Sequence, residues 1–87
     1  MGKFKVVFKR SVARDLRAIP RKDVVRILKC FEALGEDPRV PGCEKLSGRE
    51  RYRLCKGVYR IVYEIHDDVL TVVVVKIGHR RDVYEKS

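Results

Sequence analysis

The sequence predicts an α+β domain: an N-terminal strand, an antiparallel two-helix hairpin and a three-stranded antiparallel meander, with the helices on one face of a mainly antiparallel four-stranded sheet. Three observations carry that prediction. Apolar residues alternate with polar ones at the start of the chain and through much of its second half, as half-buried strands require, whereas between those regions they recur at the 3.6-residue period of a helix. Glycine and proline gather between the periodic segments more than inside them. The chain of 87 residues supports one thin core and no second domain, so residues 1–87 are expected to be a single domain with its function on the surface.

In Lys3-Phe4-Lys5-Val6-Val7-Phe8, the side chains of Phe4, Val6 and Phe8 share one side, which reads as the first strand. Ser11 is the expected cap of the first helix, because its hydroxyl can accept from an amide that has no partner in the first turn. Val12, Leu16 and Ile19 hold helical spacing, and Pro20 stops that helix. Val24, Ile27, Leu28, Phe31 and Leu34 form the apolar stripe of a second helix, with Gly35 as its expected C-terminal stop. Residues 36–51 contain Pro38, Pro41, Gly42 and Gly48 without a sustained period, so a crossing loop is expected there. The meander follows as Tyr52–Cys55, Val58–His66 and Val69–Ile77, turning at Lys56-Gly57 and at Asp67-Asp68. Alternation sends Tyr59, Ile61, Tyr63 and Ile65 toward the helices and Val58, Arg60, Val62, Glu64 and His66 to the open face. Arg53 and Cys55 share a face opposite Tyr52 and Leu54 for the same reason.

Charge narrows the partners. The 21 Lys and Arg outweigh 12 Asp and Glu, a formal net charge of +9, which favours polyanions through counterion release and steering. A hydrophobic content of 45% is too high for a disordered basic tail, so the charge is expected on a folded scaffold. Cys30, Cys43 and Cys55 are odd in number and scattered, which suits neither a disulfide framework nor a zinc site. A reducing cytoplasm, no metal and no cofactor are expected. The longest apolar run, Val69 to Val75, is interrupted by Thr71 and far too short to span a bilayer, and no signal-peptide core precedes Lys9 and Arg10.

Basic side chains beside a phenol on a small sheet suit a phosphodiester. Guanidinium groups stabilise the charge that develops on phosphate oxygens as a P–O bond breaks, and a phenol or imidazole can move a proton. Lys45-Leu46-Ser47-Gly48, Tyr52-Arg53-Leu54, Tyr59-Arg60-Ile61-Val62-Tyr63 and Gly78-His79-Arg80-Arg81-Asp82-Val83-Tyr84 stand in that order after the helices. So arranged, they resemble the RelE/ParE toxins of bacterial and archaeal toxin–antitoxin modules, and more closely the RelE branch of ribosome-dependent mRNA endonucleases. The resemblance covers essentially the whole chain. It implies that basic residues on the concave sheet face grip the scissile phosphate of mRNA in the ribosomal A site. Without a metal, the 2'-hydroxyl attacks the adjacent phosphorus and leaves a 2',3'-cyclic phosphate and a free 5'-hydroxyl.

Position by position, the resemblance implies catalytic roles for Arg53, Arg60, Arg80 and Tyr84, with His79 as the competing proton carrier. Lys45, Lys56 and Arg81 are the implied substrate contacts. Cys55 departs from the family, which commonly has a second basic residue there, and Lys56 can replace it only if the strand is shifted or bulged. The implied partners are a cognate antitoxin, the ribosome with its rRNA, and mRNA, with the toxin monomeric when free and hetero-oligomeric with its antitoxin. The basic side chains of the helix segments, among them Arg10, Arg14 and Arg17, suit docking on ribosomal RNA. Blander readings stay open: an Arg60–Glu64 ion pair, a solvated tail carrying Arg80 and Arg81, and a Tyr84 that only anchors the tail. Two other functions also stay open, a ParE-like non-nuclease that inhibits DNA gyrase and a degenerate toxin that acts with its antitoxin in operator binding.

Overall fold

A computed structural model of the chain describes residues 3–46 and 50–79. Its elements run β1 (Lys5–Phe8), α1 (Arg10–Arg17), α2 (Arg21–Glu36), β2 (Glu44–Leu46), β3 (Arg51–Lys56), β4 (Tyr59–His66) and β5 (Thr71–His79). The strands form one sheet in the order β1-β5-β4-β3-β2, antiparallel throughout except for the parallel pair β1–β5. The α+β architecture is as expected, with one strand more than the four read from the sequence. The addition is β2, three residues in the segment read as a loop, too short to show a period but paired with β3 from Glu44↔Arg53 to Leu46↔Arg51.

The helix boundaries correct two local expectations. Ser11 lies within the first turn of α1; the residue before the helix is Lys9, in extended conformation, and no side chain caps that end. Pro20 does separate the helices, and its fixed φ suits the position just before α2. Gly35 does not stop α2, which runs through it to Glu36. The amide of Phe4 donates to the Gly35 carbonyl at 2.8 Å, and a Cβ at Gly35 would meet Phe4 O at 3.2 Å and Val6 Cγ2 at 3.3 Å. Close approach of the first strand, not chain reversal, is what this glycine permits.

Both helices cover one face of the sheet, α1 against β5 and α2 against β1 and β5. Val12, Ile27, Phe31 and Leu34 join Ile61, Tyr63, Ile65, Val72, Val74 and Ile77 in a single apolar cluster. Burying these side chains supplies the main driving force of folding, roughly 25 cal/mol per Å² of apolar surface removed from water. The hydroxyl of the fully buried Tyr63 donates to Pro38 O at 2.7 Å, which satisfies the one polar atom that this ring carries inward. Burial pushes the Tyr63 phenol well above its ordinary pKa. Arg39 lies 5.7 Å over the Tyr52 ring and reaches Asp67 at 2.9 Å and Glu50 at 3.3 Å, fastening the segment after α2 to the β4–β5 turn. That turn is a 3₁₀ segment, Asp67–Val69, followed by Leu70 in the left-handed region at φ 47°.

One irregularity decides what the open face of the sheet displays. Val62 pairs with Lys76 while Tyr63 pairs with Val74, so Val75 is an extra residue on β5. Side-chain alternation changes phase there. Val72 and Val74 point into the core before the bulge, and Ile77 does so after it, leaving Lys76 on the side away from the helices.

Candidate active site

Cross-strand pairing lays out the open face in rows, because residues directly opposite in an antiparallel ladder project on the same side. One row is Glu44, Arg53, Val62 and Lys76, on β2, β3, β4 and β5. The next is Cys55, Arg60 and Gly78, on β3, β4 and β5. Arg53 and Lys76 are thus both diagonal neighbours of Arg60, at a spacing of roughly 7 Å between side-chain roots in such a ladder. Val62 sits among the three cations and is 3% exposed although neither α1 nor α2 packs on its side of the sheet.

The cations are not left without counter-charge. Glu44 Oε1 accepts from Arg53 Nε at 3.1 Å and from Arg53 Nη2 as well. Hydrogen bonding and charge from Arg53, with a further contribution from Arg60, hold the Glu44 carboxyl below the ordinary carboxylate range. The carboxylate held by Arg53 marks where an anionic oxygen is favoured, and a phosphate oxygen has the same requirement. Arg60 itself is half-buried, with Nε and Nη1 inaccessible to solvent. Glu64 serves the next arginine along, accepting from Arg51 Nη2 and lying 3.2 Å from His66 Nε2.

The structure brings together some of the residues singled out in the sequence and separates others. Arg53 and Arg60 share the open face, as expected. His79 does not join them, for the bulge returns it to the helix side, where it pairs with Tyr59 and meets that ring edge-on with 6.3 Å between centroids. Tyr59 is in turn held by α2, its hydroxyl donating to Asp23 Oδ2 at 3.1 Å. Lys56 also faces the helix side. The β3–β4 register runs unbroken from Arg51 to Lys56, so the shift that would let Lys56 replace Cys55 is absent, and Lys56 instead lines a small cavity with Asp23 and Arg26. Lys45 pairs with Tyr52 on that same side and binds Glu50 at 3.1 Å, which raises its pKa. Arg80, Arg81 and Tyr84 lie outside the described residues.

Sequence comparison agrees with the fold. Residues 6–84 match the family model described as the ParE toxin of the type II toxin–antitoxin system parDE. The chain belongs to the RelE/ParE toxin superfamily. It is 32% identical over 87 residues to the toxin RelG of Mycobacterium tuberculosis, an alignment covering 95% of this chain and 98% of the relative. Among solved structures, the RelBE2 toxin–antitoxin complex of M. tuberculosis contains a chain 26% identical, with a TM-score of 0.79 over 92% of this chain and 94% of that one. The archaeal RelE–RelB complex from Pyrococcus horikoshii shares the fold at 22% identity, with a TM-score of 0.78 over 90% of this chain and 96% of that one.

Lys76 is an open-face cation that the sequence pattern did not single out. Val72 to Val75 are four consecutive valines, so no alternation in the sequence marks the phase break that burial of Val72, Val74 and Ile77 reveals beside the lysine.

Proposed function

We propose that the protein is a ribosome-dependent mRNA endonuclease, the toxin of a toxin–antitoxin module. The observation that carries the reading is the diagonal placement of Arg53 and Arg60 on the face away from α1 and α2, next to a carboxylate bound to Arg53. In this scheme the two guanidinium groups, joined by Arg80, hold the scissile phosphate in the A site and neutralise the charge that builds on its oxygens as the 2'-hydroxyl attacks. Their attraction is stronger in the transition state than in the ground state, which is what raises rate rather than affinity. No metal is needed for that neutralisation. The proton falls to Tyr84, because His79 would have to leave its Tyr59 contact and cross the sheet to serve. Positive surroundings favour the phenolate and so make a tyrosine a better base than its unperturbed pKa of about 10 suggests.

A cognate antitoxin is the proposed partner that silences the site, and the cytoplasm, where ribosomes work, is the proposed location. Relatives solved as RelB–RelE complexes support the pairing. Incubation of the purified protein with programmed ribosomes, followed by mapping of mRNA ends, tests the reading. Cuts at the A-site codon with 2',3'-cyclic phosphate termini are expected, and intact message at high protein concentration would contradict it.

A ParE-like inhibitor of DNA gyrase is the second reading. It is favoured by Cys55 in place of a basic residue and by the name of the matched family model. A supercoiling assay separates the two, since the endonuclease reading expects gyrase to be untouched.

A further inference from the structure

The open face lacks a cation at Cys55 and has one where a regular strand would not have put it. Cys55 is exposed and stands directly opposite Arg60, so the row through Arg60 carries a thiol on one side and a glycine, Gly78, on the other. Lys76 is exposed, and only the extra residue Val75 turns it to this face. Without the bulge, alternation from Val72 and Val74 would carry Lys76 into the core cluster and send Ile77 to the open side, burying a charge and exposing an apolar side chain. With it, Lys76 and Arg53 flank Arg60 on opposite diagonals, with the apolar floor of Val62 between them. A phosphodiester laid over Val62 therefore meets cations from β3, β4 and β5.

We infer that Lys76 is a phosphate contact that takes over the role Cys55 cannot fill, and that the β5 bulge is the device that puts it there. A lysine suits this position because its ammonium is a compact point charge on a flexible stem, able to reach a phosphate oxygen without the fixed fork geometry of an arginine. The activity arm of the test rests on the endonuclease reading, and the binding arm does not.

For binding, the probe is a 2'-O-methylated RNA oligonucleotide, which cannot be cleaved, titrated over a range of salt concentrations. Lys76→Gln is expected to reduce the slope of log affinity against log salt by about 1, the signature of one lost phosphate contact, while Lys3→Gln, before β1, leaves it unchanged. For cleavage on programmed ribosomes, Lys76→Gln is expected to lower kcat/KM about tenfold, the scale of one charge-assisted contact. Lys76→Arg is expected to retain most activity, and Cys55→Lys added to Lys76→Gln to recover it. Thermal unfolding of each variant reports whether the fold is intact, which exposed positions favour. An unchanged salt slope overturns the inference, as does a cleavage loss that neither Lys76→Arg nor Cys55→Lys repairs. Were the wild-type protein not to cleave at all, the endonuclease reading would fall and the binding arm would still decide the role of Lys76.

Discussion

The two faces of β4 divide the work of the molecule. Toward the helices, Ile61, Tyr63 and Ile65 are sealed in the core, and even the rim residue Tyr59 is tied down by Asp23. Toward the open side, Arg60 and Glu64 stand half-exposed among cations and carboxylates from β2, β3 and β5. Consecutive residues of one strand thus face different solvents, and a substitution on one side leaves the other largely alone. A small domain can place charge-stabilising side chains on its thinnest layer because packing and chemistry use alternate positions.

Substitutions on the two faces should therefore fail in different ways. The largest effect is expected from Arg60→Ala, which should slow mRNA cleavage at least about 100-fold, the scale of losing one preorganised transition-state donor, while shifting the thermal midpoint by no more than a few degrees. Loss of fold in proportion to activity would break the distinction between the faces. Ile61→Ala, one residue away and fully buried, should do the opposite. About 3 kcal/mol of stability is expected to go, read from urea unfolding, with the remaining folded protein still active.

A smaller effect concerns acid stability. The Glu64 carboxyl is held below its ordinary range chiefly by its hydrogen bond from Arg51. A depressed native pKa gives stability that is full above the unfolded value of about 4.3 and is lost as pH falls through the lower folded value. Urea midpoints of the wild-type protein should therefore fall below about pH 4.3, and Glu64→Gln should flatten that fall by an amount on the order of 1 kcal/mol. An unaltered acid limb would remove the Arg51–Glu64 pair from the account. The smallest effect is at the edge of the open face. Glu44→Gln should release Arg53 and tighten binding of a 2'-O-methylated RNA oligonucleotide about threefold, as befits an exposed ion pair, and weaker binding would show that Glu44 orients Arg53 rather than competing for it.

Much of this division could be read from the residues. Strict alternation from Tyr59 to His66 assigned both faces of β4, and the apolar stripe through Ile27, Phe31 and Leu34 placed α2. What escaped has local physical causes. Gly35 looks like a helix stop because glycine usually is one, yet here it admits the Phe4 backbone, a contact between elements that no local pattern reports. Ser11 has the chemistry of a cap but lies two positions past Lys9, the residue that precedes the helix. Glu44–Leu46 is too short for periodicity and becomes a strand only through its pairing with β3. The costliest omission was the bulge at Val75. An extra residue exchanges the faces of everything beyond it, so His79, chosen for its chemistry, falls on the helix side and Lys76, overlooked inside a valine run, falls on the open one.

The central claim is that Arg53 and Arg60 act on a single phosphate. A double-mutant cycle on A-site mRNA cleavage, using Arg53→Ala, Arg60→Ala and both together, tests it most directly. Two guanidinium groups that share one anion should lose much less together than the product of their separate losses. A double variant that is folded and cleaves at the wild-type rate would contradict the account, and so would single losses that simply multiply.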